Sequence, residues 1–146
     1  MSQETIDNPA QADLLPALHR LQDQFGYIPD SEIDALARTH NVSRAEVAGV
    51  IGFYHDFRTT PPGRRRLQLC RAESCQAMGA DALAAHASRQ LGVEFGATSA
   101  DGAVTLEAAY CLGNCACSPA LMLDGKLYGR VSAERLDALL AAEAVT

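Results

Sequence analysis

All five cysteines of this 146-residue chain lie between positions 70 and 117. Four of them form two pairs: Cys70 and Cys75 enclose four residues, and Cys111 and Cys115 enclose three. An odd number of thiols in a chain with no recognisable export signal fits a disulfide framework poorly, whereas bunched thiols are typical of metal binding or redox chemistry. If these thiols bind a metal or a cluster, the fold must bring two short cysteine-bearing loops together.

The first 60 residues predict three short helices. Apolar residues at helical spacing indicate a first helix over residues 14–25. A second, shorter helix follows, and Ser43 with Glu46 forms a capping box that opens a third helix over about residues 44–57. We therefore expect a three-helix bundle over residues 1–60. The residues predicted to face its core are Leu14, Leu18, Leu21, Phe25, Ile33, Leu36, Ala37, Val47, Val50, Ile51 and the aromatic set Phe53, Tyr54 and Phe57.

The remaining chain has the pattern of a mixed lobe. Two prolines and a glycine at 61–63 end any helix and predict a linker. Alternating residues predict a strand over 66–70, and an alanine-rich helix opens at Ser74 or Cys75 and closes at Gly92. We expect an α/β lobe over residues 61–146, so the fold class of the whole chain is α+β. The later elements are predicted strands at 104–110, 121–123 and 126–128, with an Asp124-Gly125 hairpin turn, and a last helix capped by Ser132.

Each cysteine pair is predicted where a strand ends and a loop or helix begins. An iron–sulfur cluster needs four thiolates within one small volume, and two facing loops would supply them. Structural zinc is an alternative, although zinc loops more often contain C-x-x-C. Reduced structural cysteines are a third possibility. The residues alone favour iron–sulfur binding and leave the other two open.

Charge and hydropathy patterns argue against nucleic acid and membrane partners. Residues 1–60 hold four arginines and nine acidic residues, which is unfavourable for binding a phosphate backbone. The run IDALARTHNVSRAEVAGVI has a helix-turn-helix pattern, so a zinc-stabilised DNA-binding protein is a remote alternative, but its second helix would expose alanine, glutamate and glycine. The basic cluster Arg64–Arg66 is expected to be a solvated edge or to meet an acidic partner. No apolar run has the roughly 18–20 residues of a membrane span, and the first residues lack a secretory pattern, so we expect a cytoplasmic protein.

The pattern C-x-x-x-x-C followed by CLGNC resembles the thioredoxin-like 2Fe–2S ferredoxin family. The run FGYIPDSEIDALARTHNVSRAEVAGVIGFYHDF is similar to the helical extension that precedes the ferredoxin lobe, so the resemblance covers about residues 12–142. It implies a thioredoxin-like lobe with one 2Fe–2S cluster. Cys117 departs from the family pattern; we expect it to pack as a small apolar group, although it could compete with Cys115. The ligands implied by the resemblance are Cys70, Cys75, Cys111 and Cys115.

Within the family, CRAESCQAMGA most resembles the gamma subunit of soluble, molybdenum-containing NAD-dependent formate dehydrogenases. This implies an electron-transfer subunit, not catalytic alone, in a complex that converts formate and NAD+ into CO2 and NADH. The implied partners are a flavin- and NAD-binding subunit and a molybdenum-containing catalytic subunit. The equivalent subunit of an NADH:quinone oxidoreductase or an NAD-reducing hydrogenase is the alternative. The chain has no glycine-rich phosphate loop, so we expect it to bind no flavin, nicotinamide or molybdopterin itself.

Overall fold

The computed structural model describes residues 14–142, and the chain divides into two compact units between Pro61 and Pro62. Residues 1–13 and 143–146, which belong to the two predicted domains, lie outside the described residues. The helices of the first unit are α1 (Leu14–Phe25), α2 (Asp30–Thr39) and α3 (Arg44–Phe53). The elements of the second are β1 (Arg65–Cys70), α4 (Glu73–Ala77), α5 (Ala80–Leu91), β2 (Val104–Ala109), a 3-10 turn (Cys115–Cys117), β3 (Leu121–Leu123), β4 (Lys126–Tyr128) and α6 (Ala133–Ala141).

The helical unit follows the predicted pattern closely. Helix α1 has the predicted bounds, and α3 begins with the predicted capping box: Ser43 Oγ accepts from the Glu46 backbone N–H, and the Glu46 carboxylate accepts from the Ser43 N–H. Two satisfied backbone donors fix where this helix starts. The buried core of the unit consists of Leu14, Ala17, Leu18, Ile28, Ile33, Leu36, Ala37, Val47, Ile51 and Phe57.

The predicted end of α3 and part of its aromatic core are wrong. The helix stops at Phe53, four residues early, and Tyr54 adopts an extended conformation. Phe53 is 75% exposed and Tyr54 43% exposed, whereas Phe57 is buried. Phe53 lies two positions from the buried Ile51, which in a helix rotates its side chain to the opposite face. Phe25 at the end of α1 is also exposed.

The second unit is built on a four-stranded sheet with the order β2-β1-β3-β4. Strand β1 pairs with β2 in parallel and with β3 in antiparallel orientation, and β3 pairs with β4 through the predicted hairpin. Asp124 and Gly125 both have positive φ angles, of 52° and 81°, as a two-residue type I′ turn requires. The register of the parallel pair sets Cys70 opposite Ala109, which fixes the geometry of the site described below.

The single alanine-rich helix predicted after Cys75 is two helices. The backbone N–H of Met78 bonds to the Cys75 carbonyl at 3.1 Å, and that of Gly79 to the Gln76 carbonyl at 3.1 Å, so the end of α4 tightens into three-residue spacing. Gly79 has φ +95°, a conformation that costs little only for glycine, and α5 begins at the next residue, Ala80. Helix α5 then ends at Gly92, as predicted.

The core of this unit lies between the sheet and helices α5 and α6. Its fully buried side chains are Leu67, Leu69, Leu106, Leu121 and Leu136, and the small side chains of Ala84 and Ala87 allow close packing. None of the helices over residues 14–142 is long and apolar enough to cross a membrane.

Two arginines of the basic cluster form ion pairs within the second unit, in contrast to the expectation of a solvated edge. Arg65 pairs with Asp124 at 2.9 Å and Arg66 with Glu107 at 2.7 Å, whereas Arg64 is exposed. Arg65 also caps the last carbonyls of α6, where a cation is favourable. The capped carbonyl oxygens belong to Leu139, Leu140 and Ala142.

Candidate metal centre

The parallel pair β1–β2 brings the two cysteine segments to one edge of the sheet. Cys70 is the last residue of β1 and stands opposite Ala109, the last residue of β2. The Arg71 backbone N–H bonds to the Ala109 carbonyl at 2.7 Å, so the pairing continues past the end of β1. Cys111 follows β2 by two residues, and Cys75 lies on α4. The carboxyl ends of two neighbouring strands therefore supply the two cysteine pairs.

Cys70 and Cys75 form a buried pair on regular elements. Cys70 is 3% exposed and Cys75 2% exposed. Burial by itself raises the pKa of the Cys70 thiol. Hydrogen bonds outweigh it and lower the pKa, because the backbone N–H of Ala72, the Cys75 thiol and the N–H groups of Cys111 and Leu112 all stabilise the thiolate. This buried site therefore favours a negatively charged sulfur.

Cys111 and Cys115 form an exposed pair on a loop. Their Sγ atoms lie 3.7 Å apart, and the Gly113 backbone N–H points at Cys111 Sγ at 3.4 Å. Gly113 and Cys111 both have positive φ angles, of 74° and 90°. The left-handed region is strained for a cysteine, and such strain is concentrated at ligand-binding loops.

The four sulfurs act on one another electrostatically. The pKa of Cys115 is raised, first by its hydrogen bond and charge interaction with Cys111, then by burial and by the charges of Cys75 and Cys70. When the other three cysteines are thiolates, their negative charges therefore disfavour loss of the proton from Cys115. Such a set favours thiolates only when a cationic centre lies among them.

The spacing of the sulfurs fits metal ligation by pairs. A tetrahedral metal with metal–sulfur bonds of ~2.3 Å separates two of its thiolates by about 3.8 Å. The observed 3.7 Å between Cys111 and Cys115 matches that separation. Over residues 14–142, no three His, Cys, Asp or Glu side chains are arranged to hold one metal ion. Two pairs of thiols at one sheet edge suit a two-metal cluster, in which four cysteines share two irons.

Cys117 packs against the backbone of Gly129 and Arg130. The cysteine's carbonyl accepts from the Arg130 backbone N–H at 2.6 Å, and its own N–H bonds to the Asn114 carbonyl at 3.0 Å. A Cβ atom placed on Gly129 would lie 2.6 Å from Cys117 Cβ, so the two backbones are in close contact. These contacts involve the backbone and the Cβ atom of Cys117, and the packing role of its thiol stays a prediction.

Two serines belong to the site and were missed by sequence reasoning. Ser118 Oγ lies 3.3 Å from Cys75 Sγ and 3.0 Å from Ser74 Oγ. Ser118 has the extended conformation expected before Pro119, but its side-chain contacts join residues 43 or 44 positions apart. The only sequence signal is position: Ser74 directly precedes Cys75, and Ser118 follows the CLGNCAC run.

Cys115 of the exposed pair borders an open groove of about 810 Å³. Its lining includes Cys115, Ala116 and Met78, one of the most exposed apolar side chains in the described residues. The buried sheet edge is thus connected to solvent on the side of the exposed cysteines. Electron exchange with another protein requires such an accessible edge.

The remaining candidate residues have structural contacts. Arg44 of α3 pairs with Asp30 and Asp34 of α2, and α3 exposes Ala45, Glu46, Ala48 and Gly49 as expected. His19 packs on the Phe57 ring, and His86 lies 2.7 Å from Asp137. The arginine of the DNA-binding alternative is therefore engaged within the helical unit.

Comparisons with known proteins identify the family. The family profile described as thioredoxin-like 2Fe-2S ferredoxin matches residues 3–144. A subunit of an NADH-quinone oxidoreductase of Rhizobium meliloti is 39% identical over 137 residues, which cover 91% of this chain and 82% of that protein. The NADP-reducing hydrogenase subunit HndA of Solidesulfovibrio fructosivorans is 32% identical, over 88% of this chain and 75% of its own.

A solved structure shares the architecture as well. The crystal structure of an NAD+-reducing NiFe-hydrogenase in the air-oxidized state superposes with a TM-score of 0.77 and 26% sequence identity. The match covers 93% of this chain but only 24% of the hydrogenase chain, so this chain corresponds to about a quarter of that one. With its paired thiols at the sheet edge, the chain belongs to the thioredoxin-like 2Fe-2S ferredoxin family and carries a 2Fe–2S cluster.

Proposed function

We propose that this chain is a one-electron carrier whose cluster is held by all four cysteines of the two pairs. Cys70 and Cys75 supply the buried side of the site, and Cys111 and Cys115 supply its solvent-exposed side, where Cys115 borders the groove. The observation that carries this assignment is the mutual interaction of these four sulfurs at one sheet edge, with a 3.7 Å spacing in the exposed pair. The bound 2Fe–2S cluster supplies reversible one-electron chemistry.

The residues of the site do three things for that chemistry. The backbone N–H groups of Ala72, Cys111 and Leu112 lower the pKa of the Cys70 thiol and so stabilise negative charge on its sulfur. The apolar side chains around the buried pair exclude water from that side; they are Ala80, Ala120, Ala72 and Leu112. The exposed pair, of which Cys115 borders the open groove, leaves the opposite side accessible for electron exchange with a partner.

We propose further that the chain is a subunit of a cytoplasmic NAD-dependent formate dehydrogenase. The net reaction is formate plus NAD+ to CO2 plus NADH, catalysed by the partner subunits. The supporting observation is the likeness of CRAESCQAMGA to the gamma subunits of such enzymes. The proposed partners are a flavin- and NAD-binding subunit, which exchanges electrons with the cluster, and a molybdenum-containing catalytic subunit. This chain is not catalytic alone.

The second candidate is the equivalent subunit of an NADH:quinone oxidoreductase or an NAD-reducing hydrogenase. The 39% identity to an NADH-quinone oxidoreductase subunit supports the oxidoreductase assignment. The TM-score of 0.77 against an NAD+-reducing hydrogenase structure supports the hydrogenase assignment. All three complexes require the same element from this chain, a one-electron carrier beside a nicotinamide-linked partner. They differ in the subunit that oxidises the primary donor.

Purification of the complex from its native cell, through an affinity tag on this chain, separates these candidates. We expect a flavin-bearing subunit and a molybdenum-bearing subunit to co-purify, and the preparation to reduce NAD+ with formate. Nickel in place of molybdenum with NAD+ reduction by hydrogen, or membrane subunits with NADH-dependent quinone reduction, would reassign the chain to the second candidate. Formate-dependent NADH production by the isolated chain would contradict a carrier role.

A further inference from the structure

Two hydroxyls, that of the buried Ser118 and that of the half-buried Ser74, link the two cysteine pairs of the site. Ser118 is 7% exposed, and its Oγ lies 3.3 Å from Cys75 Sγ. Ser74 Oγ lies 3.0 Å from Ser118 Oγ. Both hydroxyls are within hydrogen-bond distance of the Cys115 carbonyl oxygen, Ser118 at 2.9 Å and Ser74 at 3.2 Å. The two serines therefore connect a sulfur of the buried pair with the backbone of the exposed pair.

The direction of these hydrogen bonds must change when Cys75 binds metal. In the free thiol, the Cys75 S–H donates to Ser118 Oγ, and the Ser118 hydroxyl donates to the Cys115 carbonyl. A metal-bound cysteine has lost its proton and only accepts. The Ser118 hydroxyl is then the donor within reach of the Cys75 sulfur. The Ser74 hydroxyl, 3.2 Å from the Cys115 carbonyl oxygen, then donates to that oxygen. In this arrangement Ser118 serves the Cys75 sulfur and Ser74 serves the Cys115 carbonyl.

We infer that Ser118 donates a hydrogen bond to the Cys75 sulfur and thereby raises the reduction potential of the cluster, with Ser74 orienting its hydroxyl. The inference rests on the proposed ligand set. Reduction adds negative charge that is shared by the ligand sulfurs, and a donor aimed at a sulfur stabilises the reduced form more than the oxidised one. Because Ser118 is buried, water competes little for this bond.

The geometry assigns this role to the hydroxyl rather than to the backbone of Ser118. The residue has φ −68° and ψ 148°, an extended conformation open to alanine or threonine. Ser118 is therefore a positioning residue, and removing its hydroxyl is expected to change the potential while the fold and the ligands remain.

The test is a reductive titration of the full-length, cluster-loaded chain, followed by electron paramagnetic resonance. In Ser118→Ala the equilibrium constant for reduction should fall about three- to tenfold, where tenfold corresponds to about 59 mV for one electron. Ser118→Thr keeps the hydroxyl and should retain the wild-type potential. Ser74→Ala should shift the potential in the same direction by less, because Ser118 then also serves the Cys115 carbonyl.

Ser99→Ala is the matched control. Ser99 is also buried, but it bonds to Asp101 and to the backbone of Val104, at the amino end of β2 and not at the carboxyl end that carries the site. The reduction potential of the cluster in Ser99→Ala should equal that of the wild type.

The outcomes separate the inference from the proposed function. An unchanged potential in Ser118→Ala with full iron content overturns the inference and leaves the ligand set intact. If Ser118→Ala fails to retain the cluster, Ser74→Ala decides: a lowered potential supports the inference, and an unchanged one overturns it. A wild-type chain that holds no iron and sulfide overturns the proposed ligand set itself.

Discussion

Cys70 and Cys75 lie at the end of a central strand and on a short helix, almost fully buried, whereas Cys111 and Cys115 lie on an exposed loop with two left-handed residues. The buried pair is positioned by contacts that the fold makes in any case, namely the β1–β2 register and the packing of Ala80 and Ala120. The exposed pair is held by few such contacts, and its sulfurs repel one another as thiolates.

This difference indicates a division of labour within one site. Under the proposed ligand set, the buried pair loses its conformational entropy when the chain folds, and the exposed pair becomes ordered only when the cluster binds. Under the same proposed ligand set, the exposed pair gives the cluster an edge that a partner can reach. The predictions below test whether the two pairs differ in this way, starting with the largest expected effect.

Serine substitution of one cysteine from each pair should affect the cluster unequally. Cys75→Ser should abolish the cluster, because a buried serine hydroxyl beside Ser118 is a much weaker metal ligand than a thiolate and has no solvent to help it ionise. Cys115→Ser should leave a weakened cluster with a shifted spectrum, because an exposed serine oxygen can approach the metal. Iron, acid-labile sulfide and electron paramagnetic resonance measurements on both variants check this. Full cluster content in Cys75→Ser would refute the buried half of the assignment.

Removal of the cluster by a chelator should loosen the exposed pair and spare the buried one. We expect backbone amides of residues 111–117 to exchange with deuterium much faster in the cluster-free chain, because local opening there no longer breaks metal–sulfur bonds. Amides of β1 and β2 should keep most of their protection. Hydrogen exchange followed by mass spectrometry measures both. Equal loss of protection over the sheet would contradict the proposed division.

Gly129→Ala should disturb the exposed pair from outside. A Cβ atom at this position would lie 2.6 Å from Cys117 Cβ and 2.7 Å from the Asn114 side chain, so the 114–117 segment must move. Overpacking of this kind typically costs about 1–3 kcal/mol. We expect lower stability and faster loss of iron in air. Gly49→Ala, where a Cβ meets no atom within 4 Å, is the control and should be neutral or stabilise its helix. Iron loss at the wild-type rate in Gly129→Ala would show that this contact does not hold the loop.

Cys117→Ser should have the smallest effect of the set. Its Cβ packs against Gly129, so the variant should keep iron, sulfide and spectrum, with a stability change within about 1 kcal/mol. A circular-dichroism melt and iron analysis are sufficient. Loss of the cluster here, together with its retention in Cys115→Ser, would exchange the roles of the two cysteines.

The parts of the structure that depend on local chemistry could be predicted from the sequence. The bounds of α1, the capping box of Ser43 and Glu46, and the Asp124-Gly125 turn involve residues within a few positions of one another. The parts that depend on distant contacts could not. Arg65 donates to carbonyls that lie 74 to 77 residues away at the end of α6. No sequence pattern marks Arg65 or these carbonyls as partners.

The candidate site shows the same limit. The two cysteine pairs were visible from spacing, and the parallel register that joins them follows once β1 and β2 are predicted side by side. The break at Gly79 and the contact of Ser118 with Cys75 were not visible, because each depends on where α4 packs after the chain has folded.

Thiol alkylation with mass-spectrometric readout tests the central claim most directly. Cys111 and Cys115 are exposed and would react readily if free, whereas Cys117 is half-buried. In the anaerobically purified chain with about two iron per molecule, we predict that Cys111 and Cys115 are protected and that Cys117 is the cysteine slowly modified. After chelation, Cys111 and Cys115 should become the fastest to react. Modification of either one while the iron content stays unchanged would contradict the assignment.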